Sequence, residues 1–201
     1  MERLLQEEKR RVRRELKETA ARFSERYVAE ASRAVCEKVL QSNDFREAAV
    51  LFGYLSFRNE ISVDAVLEEA LRLGKTVAVP RIVSQHEMQA VRLGTLQDLP
   101  LDRYGIRTVP APVKIISPES IDLVLVPGAG FSKEGHRMGR GAGFYDRFLA
   151  GTKGFRLGVT CDRLLREEIP MDEYDRPVEA LVTETIFIKC YNGNNERGKE
   201  F

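Results

Sequence analysis

The most informative part of the chain is Asp122–Asp146, DLVLVPGAGFSKEGHRMGRGAGFYD. Its first five residues, Asp122–Val126, are almost entirely apolar, which is typical of a strand buried on both faces of a parallel sheet. The remainder holds six of the chain's 15 glycines and leads into a predicted helix, Phe144–Ala150. Since ligands of open α/β proteins collect at the carboxyl ends of strands, we expect this glycine loop to lie at a binding site.

The residue types in the loop suit a polyphosphate. Glycines at alternate positions of Gly139–Gly143 allow backbone N–H groups to turn toward one point. Arg137 and Arg140 carry charges suited to phosphate oxygens, and the helix start adds a partial positive charge. The spacing is neither a Walker loop nor the dinucleotide G-x-G-x-x-G pattern, because Phe144 stands in place of the last glycine. The alternative is a flexible surface loop with scattered glycines.

Around the loop, short apolar runs alternate with helical patterns. The predicted strands are Ala48–Phe57, Thr76–Val79 (closed by Pro80), Met88–Leu93, Asp122–Val126, Arg156–Cys161 and Leu181–Lys189. Helices are predicted at residues 63–71 (ended by Gly74), at Phe144–Ala150 and at Leu164–Glu168. Interleaved strands and helices predict an α/β layer fold with a largely parallel sheet, in one domain spanning residues 1–201. The polar tail Asn192–Phe201 is expected to fray.

The first 41 residues have the periodicity of helices, with Ser24 as a cap of the second one and a break at Ser42–Asp44. Lys9, Arg13 and Lys17 recur every four positions and share one helical face. The ordinary interpretation is a solvated surface balanced by glutamates. The alternative is a basic helix that folds over the glycine loop and closes on a phosphate.

Three acidic residues have a functional and a structural interpretation. Asp146 stands in the first turn of a predicted helix, where an acid stabilises the helix start. It could equally be a Mg²⁺ ligand, because Mg²⁺ in nucleotide sites takes one or two carboxylates plus phosphates, and Asp175 is the candidate second carboxylate. Glu60 follows a strand and could accept hydrogen bonds from a polar heterocycle, or it is a helix-entry acid.

Composition excludes several classes of protein. The 201 residues carry 32 basic and 31 acidic side chains, and this net charge of +1 predicts no nucleic-acid partner. The longest apolar run is about five residues, against roughly 20 for a membrane span, so no membrane association is expected. The three cysteines lie far apart, which argues against a zinc cluster or disulfide framework and predicts a reducing, cytoplasmic location.

Taken in order, several segments resemble the 5-formyltetrahydrofolate cyclo-ligase (5,10-methenyltetrahydrofolate synthetase) family. They are K-x-x-x-R (Lys9 and Arg13), LSFRNEI (Leu55–Ile61), VPR (Val79–Arg81), YGI (Tyr104–Ile106), DLVLVPGAGF (Asp122–Phe131) and RMGRGAGFYD (Arg137–Asp146). The resemblance runs from about Lys9 to Glu184, and the glycine loop is its specific part. It implies a three-layer α/β/α fold with a mostly parallel central sheet, related to the sugar-phosphate isomerase and CoA-transferase group.

The resemblance also implies a reaction. Family members use ATP and Mg²⁺ to convert 5-formyltetrahydrofolate into 5,10-methenyltetrahydrofolate, phosphorylating the formyl oxygen and releasing ADP and phosphate. It gives Lys9 and Arg140 catalytic roles. The implied ATP-binding set is Lys9, Arg13, Arg137, Gly139, Arg140, Gly141, Ala142, Gly143, Phe144 and Tyr145. The implied folate-binding set is Arg13, Leu55, Glu60, Tyr104 and Tyr145, and the implied metal ligands are Asp146 and Asp175.

This chain departs from the family pattern at three places. Many relatives have Lys where Ala142 stands, an aromatic residue near the folate that is often Trp would be Tyr104, and a common Gln is replaced around Arg163. The alternatives are a non-catalytic nucleotide- or folate-binding homologue, and a sugar-phosphate isomerase or CoA-transferase of similar fold. We expect small-molecule substrates and a monomer or small homo-oligomer.

Overall fold

The structure is a computed structural model that describes residues 2–103 and 105–190. The predicted contact at Tyr104 and the predicted frayed tail at Asn192–Phe201 lie outside the described residues. The helices are α1 (Glu2–Ala21), α2 (Glu25–Gln41), α3 (Asn43–Glu47), α4 (Asp64–Arg72) and α5 (Phe144–Ala150). The strands are β1 (Val50–Phe52), β2 (Thr76–Ile82), β3 (Met88–Arg92), β4 (Leu123–Pro127), β5 (Gly130–Ser132), β6 (Arg137–Met138), β7 (Phe155–Val159), β8 (Leu165–Arg166), β9 (Ala180–Val182) and β10 (Phe187–Lys189).

The central sheet has the strand order β10-β9-β7-β4-β1-β2-β3. The strands from β9 to β2 in this order are parallel, and β3 and β10 are antiparallel edge strands. The predicted α/β fold with a mostly parallel sheet is therefore confirmed. Antiparallel edges on a parallel sheet are common in folds of this kind.

The two faces of the sheet are covered differently. On one face, Leu16 of α1, Val35 of α2 and Leu67 of α4 form one apolar cluster with the inward residues of the strands. On the other face, Phe148 and Leu149 of α5 pack with Phe131 of β5 and with strand residues. The second outer layer thus consists of one seven-residue helix and part of a small sheet of β6, β5 and β8.

The chain changes winding direction between β1 and β4, which are neighbours in the sheet. From β1 it crosses through α4 to β2 on one side, and from β4 it reaches β7 through α5 on the other side. The two crossover helices lie on opposite faces of the sheet. A reversal of this kind opens a crevice at the carboxyl ends of the two strands, which is where open α/β sheets bind ligands.

The helices predicted in the first 41 residues are confirmed. The Ser24 side chain caps α2 by accepting a hydrogen bond of 3.2 Å from the backbone N–H of Tyr27. The break predicted at Ser42–Asp44 is confined to Ser42, which ends α2 and caps α3 through Phe45 N–H. Gly74 ends the region of α4 with the predicted left-handed conformation, at φ +75°.

None of the helices within the described residues combines the length and apolarity needed to cross a bilayer.

Pro80 does not close β2, as the sequence predicts, but lies inside it. Leu93 N–H of the chain after β3 donates to Val77 O. Because hydrogen-bonded residues alternate along an antiparallel pair, Val77 and every second residue of β2 after it form hydrogen bonds with the β3 side, and Pro80 does not. The nitrogen of Pro80 therefore faces the β1 side, where pairing has already ended at Ala78. A proline costs no ladder hydrogen bond at such a position.

Other element predictions need correction. The strand predicted at Ala48–Phe57 is only Val50–Phe52, because the chain after Gly53 leaves the sheet to form the cavity wall described below. The helix predicted at Leu164–Glu168 is not formed: a one-turn 3₁₀ helix, Asp162–Leu164, ends where it should begin, and β8 follows. The strand predicted at Leu181–Lys189 is a hairpin of β9 and β10 that turns at residues 183–186. The predicted glycine loop contains two short strands, β5 and β6.

Candidate active site

Two adjoining cavities lie at the carboxyl ends of β1 and β4. The first, of about 200 Å³, is largely apolar and includes Leu55, Ile82, Met88 and Phe144 together with Glu60. The second, of about 430 Å³, is lined mainly by charged side chains, among them Lys9, Arg13, Asp172 and Asp175. Arg137, Gly139, Gly143 and Asp146 line both cavities. The glycine loop is therefore the wall between an apolar and a charged compartment.

The loop depends on glycine at two of its positions. Gly141 and Gly143 have φ values of +105° and +68°, a backbone region that disfavours side chains. Gly143 is also the residue from which α5 starts. Arg13 of α1 donates from Nε to the Gly139 carbonyl at 2.9 Å. Arg140, Gly141 and Ala142 are exposed, as the surface-loop alternative expects, but the loop is bonded to α1 through Arg13 and begins at the buried Arg137.

Arg147, one turn into α5, fastens the loop from its other side. Its Nη2 donates to the Ala142 carbonyl at 2.8 Å, and its Nε donates to the His86 carbonyl at 2.7 Å. His86 lies in the turn between β2 and β3, two strands that supply Ile82 and Met88 to the apolar cavity. One side chain therefore ties the glycine loop to the opposite wall of that cavity.

Arg137 and Asp146 form a buried ion pair below the loop. The Nη2 of Arg137 donates to Asp146 Oδ1 at 2.5 Å, and only 3% of the Arg137 side chain is exposed. Asp146 Oδ1 also accepts from the backbone N–H of Arg176 at 3.3 Å. The Nε of Arg137 is buried and has no hydrogen-bond partner among the described residues. A buried donor of this kind is costly unless something satisfies it.

Lys9 lies at the floor of the charged cavity and not on the protein surface. Its Nζ donates to Asp172 at 2.6 Å and also to Asp175, and 5% of the residue is exposed. Burial alone would lower the pKa of the Lys9 ammonium, but the two carboxylates outweigh it and raise that pKa. Burial would likewise raise the pKa of Asp172, yet Lys9 holds it below its usual range. The solvated-surface interpretation is therefore wrong for Lys9 and holds for its neighbours Arg10, Arg14 and Lys17, which are exposed.

Glu60 links the apolar cavity to the loop. Its Oε1 pairs with Arg140 Nη2 at 2.7 Å, and its Oε2 accepts from the backbone N–H of Phe57 at 2.8 Å. Burial raises the pKa of the Glu60 carboxyl, and Arg140 offsets part of that rise. The helix-entry alternative is not supported, because α4 starts only at Asp64 and has no side-chain cap.

The remaining predicted contacts line the apolar cavity. Leu55 is buried in its wall, and Phe144 and Tyr145 stand where the loop enters α5. The Tyr145 hydroxyl is buried with no hydrogen-bond partner among the described residues, and burial raises its pKa well above the usual range. A hydroxyl in this state can donate to a polar group of a bound ligand.

Apart from Tyr104, the structure places the predicted site residues around these two cavities. The sequence interpretation missed Asp172 and Arg147. The signal for Asp172 was the spacing Asp172-x-x-Asp175, two acids that can face one cation. Arg147 had no sequence signal beyond its position one turn after the glycines.

The predicted magnesium ligands share one cavity but belong to different ion pairs. Asp146 is bonded to Arg137, and Asp175 is bonded to Lys9. Within residues 2–103 and 105–190, no group of three potential ligand side chains is close enough to hold a metal ion unaided. The donor set still suits Mg²⁺, which takes one or two carboxylates and completes its shell with phosphate and water oxygens.

Fold and site together define the class: a doubly wound α/β protein with a cationic glycine loop beside an apolar cavity at the winding reversal. The chain belongs to the 5-formyltetrahydrofolate cyclo-ligase family, whose model matches residues 5–184. The family resemblance noted in the sequence is thereby confirmed.

Individual relatives cover most of the chain. It is 30% identical to the probable 5-formyltetrahydrofolate cyclo-ligase of Caenorhabditis elegans, over 90% of this chain and 94% of the relative. It is 26% identical to the 5-formyltetrahydrofolate cyclo-ligase of Mus musculus, over 88% and 93%. The solved structure of Aquifex aeolicus 5,10-methenyltetrahydrofolate synthetase superposes with a TM-score of 0.82 at 27% identity, covering 96% of both chains.

Proposed function

We propose that this chain uses ATP to convert 5-formyltetrahydrofolate into 5,10-methenyltetrahydrofolate, with release of ADP and phosphate. Family membership supports the reaction class. The observation that carries the proposal is that the loop between Arg137 and Asp146 lines both an apolar and a charged cavity. A reaction that transfers a phosphoryl group from a triphosphate to a reduced folate needs two such compartments in contact.

The proposal assigns one substrate to each cavity. The pterin occupies the apolar cavity between Leu55 and Tyr145, where the Glu60 carboxylate accepts hydrogen bonds from its ring nitrogens. The triphosphate occupies the charged cavity, against Lys9, Arg13 and the loop. This arrangement directs the γ-phosphate and the formyl group toward the shared wall. Oriented guanidinium groups and an ammonium suit phosphate oxygens at that position.

The chemistry requires no nucleophile from the protein. The formyl oxygen attacks the γ-phosphorus, the bond to the β-phosphate oxygen breaks, and ADP leaves. The neighbouring amine of the same folate then attacks the activated carbon, and the ring closes as phosphate departs with the former formyl oxygen. The chain's own residues align the two substrates, and Arg140 and Lys9 neutralise the charge that develops during phosphoryl transfer.

Within the proposal, Asp146 and Asp175 hold Mg²⁺, with Asp172 beside them. When bound, the ion neutralises phosphate charge. Because both aspartates also pair with cations in the structure, the carboxylates keep Arg137 and Lys9 oriented toward the same cavity. The relation to sugar-phosphate isomerases and CoA-transferases stays a prediction.

We also propose a reducing location such as the cytoplasm. Cys36, Cys161 and Cys190 are all buried and free of disulfides, and burial raises the thiol pKa of each above its usual value. Free cysteines without disulfides are typical of chains kept in a reducing compartment. The oligomeric state, monomer or small homo-oligomer, stays a prediction.

A coupled assay tests the function directly. Purified protein is mixed with ATP, Mg²⁺ and 5-formyltetrahydrofolate, and methenyl absorbance and ADP are followed together. We expect one ADP for each methenyl product, and no product when ATP is omitted. Ligand binding without ADP release would support the non-catalytic homologue instead. Product formation without ATP would point to a different reaction class.

A further inference from the structure

The proposed folate site and the proposed phosphate loop are joined by one ion pair. Glu60 belongs to the segment between β1 and α4, and Arg140 stands among the loop glycines. Their oxygen and nitrogen lie 2.7 Å apart, and 55% of the Arg140 side chain is exposed against 15% of Glu60. The carboxylate is the more buried partner and is also held on its other oxygen by Phe57 N–H.

This pair cannot persist once both substrates are bound in the proposed way. Glu60 and Arg140 both line the cavity that the pterin would occupy, and the pterin's ring N–H groups would compete with Arg140 for the carboxylate. Arg140 in turn is the exposed loop cation expected to meet the transferring phosphate. Arg137 differs, because its carboxylate partner Asp146 lines the charged cavity as well as the apolar one, so Arg137 stays beside the phosphate site while it is paired.

We infer that Glu60 is a positioning residue that holds Arg140 on the folate side of the loop until a folate takes its place. The inference rests on the proposed function and adds an order of events to it: folate binds before phosphoryl transfer starts. With the folate cavity empty, Arg140 is withheld from the nucleotide and ATP is poorly hydrolysed. Folate binding frees Arg140, so that phosphoryl transfer starts when its acceptor is present.

A thermodynamic consequence follows from the shared pair. Whichever substrate binds first must break the contact between Glu60 and Arg140, and the second substrate then binds without that cost. The two substrates therefore favour each other's binding by the same factor, as linkage requires. For a pair with one largely exposed partner, we expect a factor of about five.

The first test measures ATP hydrolysis without folate. In this side reaction water replaces the formyl oxygen as the nucleophile on the γ-phosphorus, and the products are ADP and phosphate. Glu60→Gln keeps an oxygen for Phe57 N–H but removes the charge that holds Arg140. We expect folate-free ADP release to rise about fivefold, the strength of the lost pair. The matched control is Glu69→Gln, which breaks a surface pair of 2.6 Å with Arg72 on α4 and should leave the rate unchanged.

The second test measures binding at equilibrium and needs no turnover. A non-hydrolysable ATP analogue that keeps the γ-phosphate is titrated into the wild-type protein with and without 5-formyltetrahydrofolate, and we expect it to bind about five times more tightly when folate is present. In Glu60→Gln this difference should disappear. An unchanged folate-free ATPase in a folded Glu60→Gln protein, or equal affinities of the wild type for the ATP analogue with and without folate, would overturn the inference. Wild-type protein that makes no methenyl product would instead refute the proposed function.

Discussion

Arg140 is the residue on which the proposed phosphoryl transfer depends most. Its side chain is exposed beside the wall shared by the two cavities, so Arg140→Ala removes a cation without opening a void in the core. We expect turnover to fall about 100-fold or more, the scale of losing one oriented transition-state donor. The control is Arg14→Ala, which removes an exposed arginine from α1. Normal ATP-dependent turnover of Arg140→Ala would show that the assigned role is wrong.

Asp146 has two proposed tasks, and two measurements on one variant can separate them. As a proposed Mg²⁺ ligand and as the partner of buried Arg137, it matters for metal affinity and for stability. In Asp146→Asn we expect the Mg²⁺ concentration for half-maximal activity to rise about tenfold or more. Thermal unfolding without metal reports the ion-pair contribution separately. An unchanged Mg²⁺ titration would remove Asp146 from the ligand set.

Asp172 provides a pH-dependent test of the Lys9 cluster, which consists of Lys9, Asp172 and Asp175. Its pKa is lowered in the folded protein, so its contribution to stability is present above the unfolded pKa near 3.8 and is lost as pH falls through the folded value. We expect Asp172→Asn to lower the free energy of unfolding by about 1 kcal/mol at pH 7. The difference from wild type should shrink below about pH 4. Unfolding curves at pH 7 and pH 3 measure this, and a constant difference would contradict it.

The Lys9 cluster also shows how far single residues could be predicted. Charge periodicity placed Lys9 and Arg13 on one helical face but left open whether that face is solvated or covers the glycine loop, and the family resemblance favoured the second. The reason is physical: Lys9 becomes a site residue through Asp172, 163 residues away, and spacing within one helix carries no information on such a partner. Glu60 is similar, since its role depends on where the distant Arg140 lies.

At the scale of elements, the sequence predicted best where one local pattern was sufficient. The bounds of α5 and the Ser24 cap of α2 depend on neighbouring residues, and both are confirmed. Pro80 and the hairpin of β9 and β10 were mispredicted because they depend on which neighbour each strand has. A proline is tolerated in β2 only because β1 has already ended, which no local pattern reveals.

Arg147 makes a testable connection between two elements. Its bonds to the Ala142 and His86 carbonyls tie the glycine loop to the turn between β2 and β3. In Arg147→Ala we expect the KM values for both substrates to rise about fivefold, the effect of losing exposed hydrogen bonds to a charged donor, while kcat changes less. Arg147→Lys should recover part of the loss, and Arg72→Ala on α4 is the surface control. A fall in kcat at constant KM would contradict a tethering role.

At the scale of the whole molecule, α1 belongs to the core and to the site at once. Leu16 is fully buried and packs closely over Gly130, where an added Cβ would lie 2.7 Å from a Leu16 methyl carbon. Lys9 and Arg13, further toward the amino end of α1, reach the charged cavity. The larger apolar cluster, which draws on residues from Val12 to Val182, therefore sets where these two cations stand. The division of residues 1–201 into one domain stays a prediction.

Loosening α1 should thus weaken nucleotide binding from a distance. We expect Leu16→Ala to lower the free energy of unfolding by about 3 kcal/mol, as for other buried leucines. The KM for ATP should rise more than the KM for folate, because α1 supplies two of the proposed phosphate contacts, whereas the apolar walls of the folate cavity come from other elements. Leu123→Ala is the matched control: Leu123 is equally buried, but it lies at the opposite end of β4 from the loop. Unfolding curves and initial rates separate the two effects, since equal KM changes in both variants would mean that lost stability alone, and not the placement of α1, weakens the site.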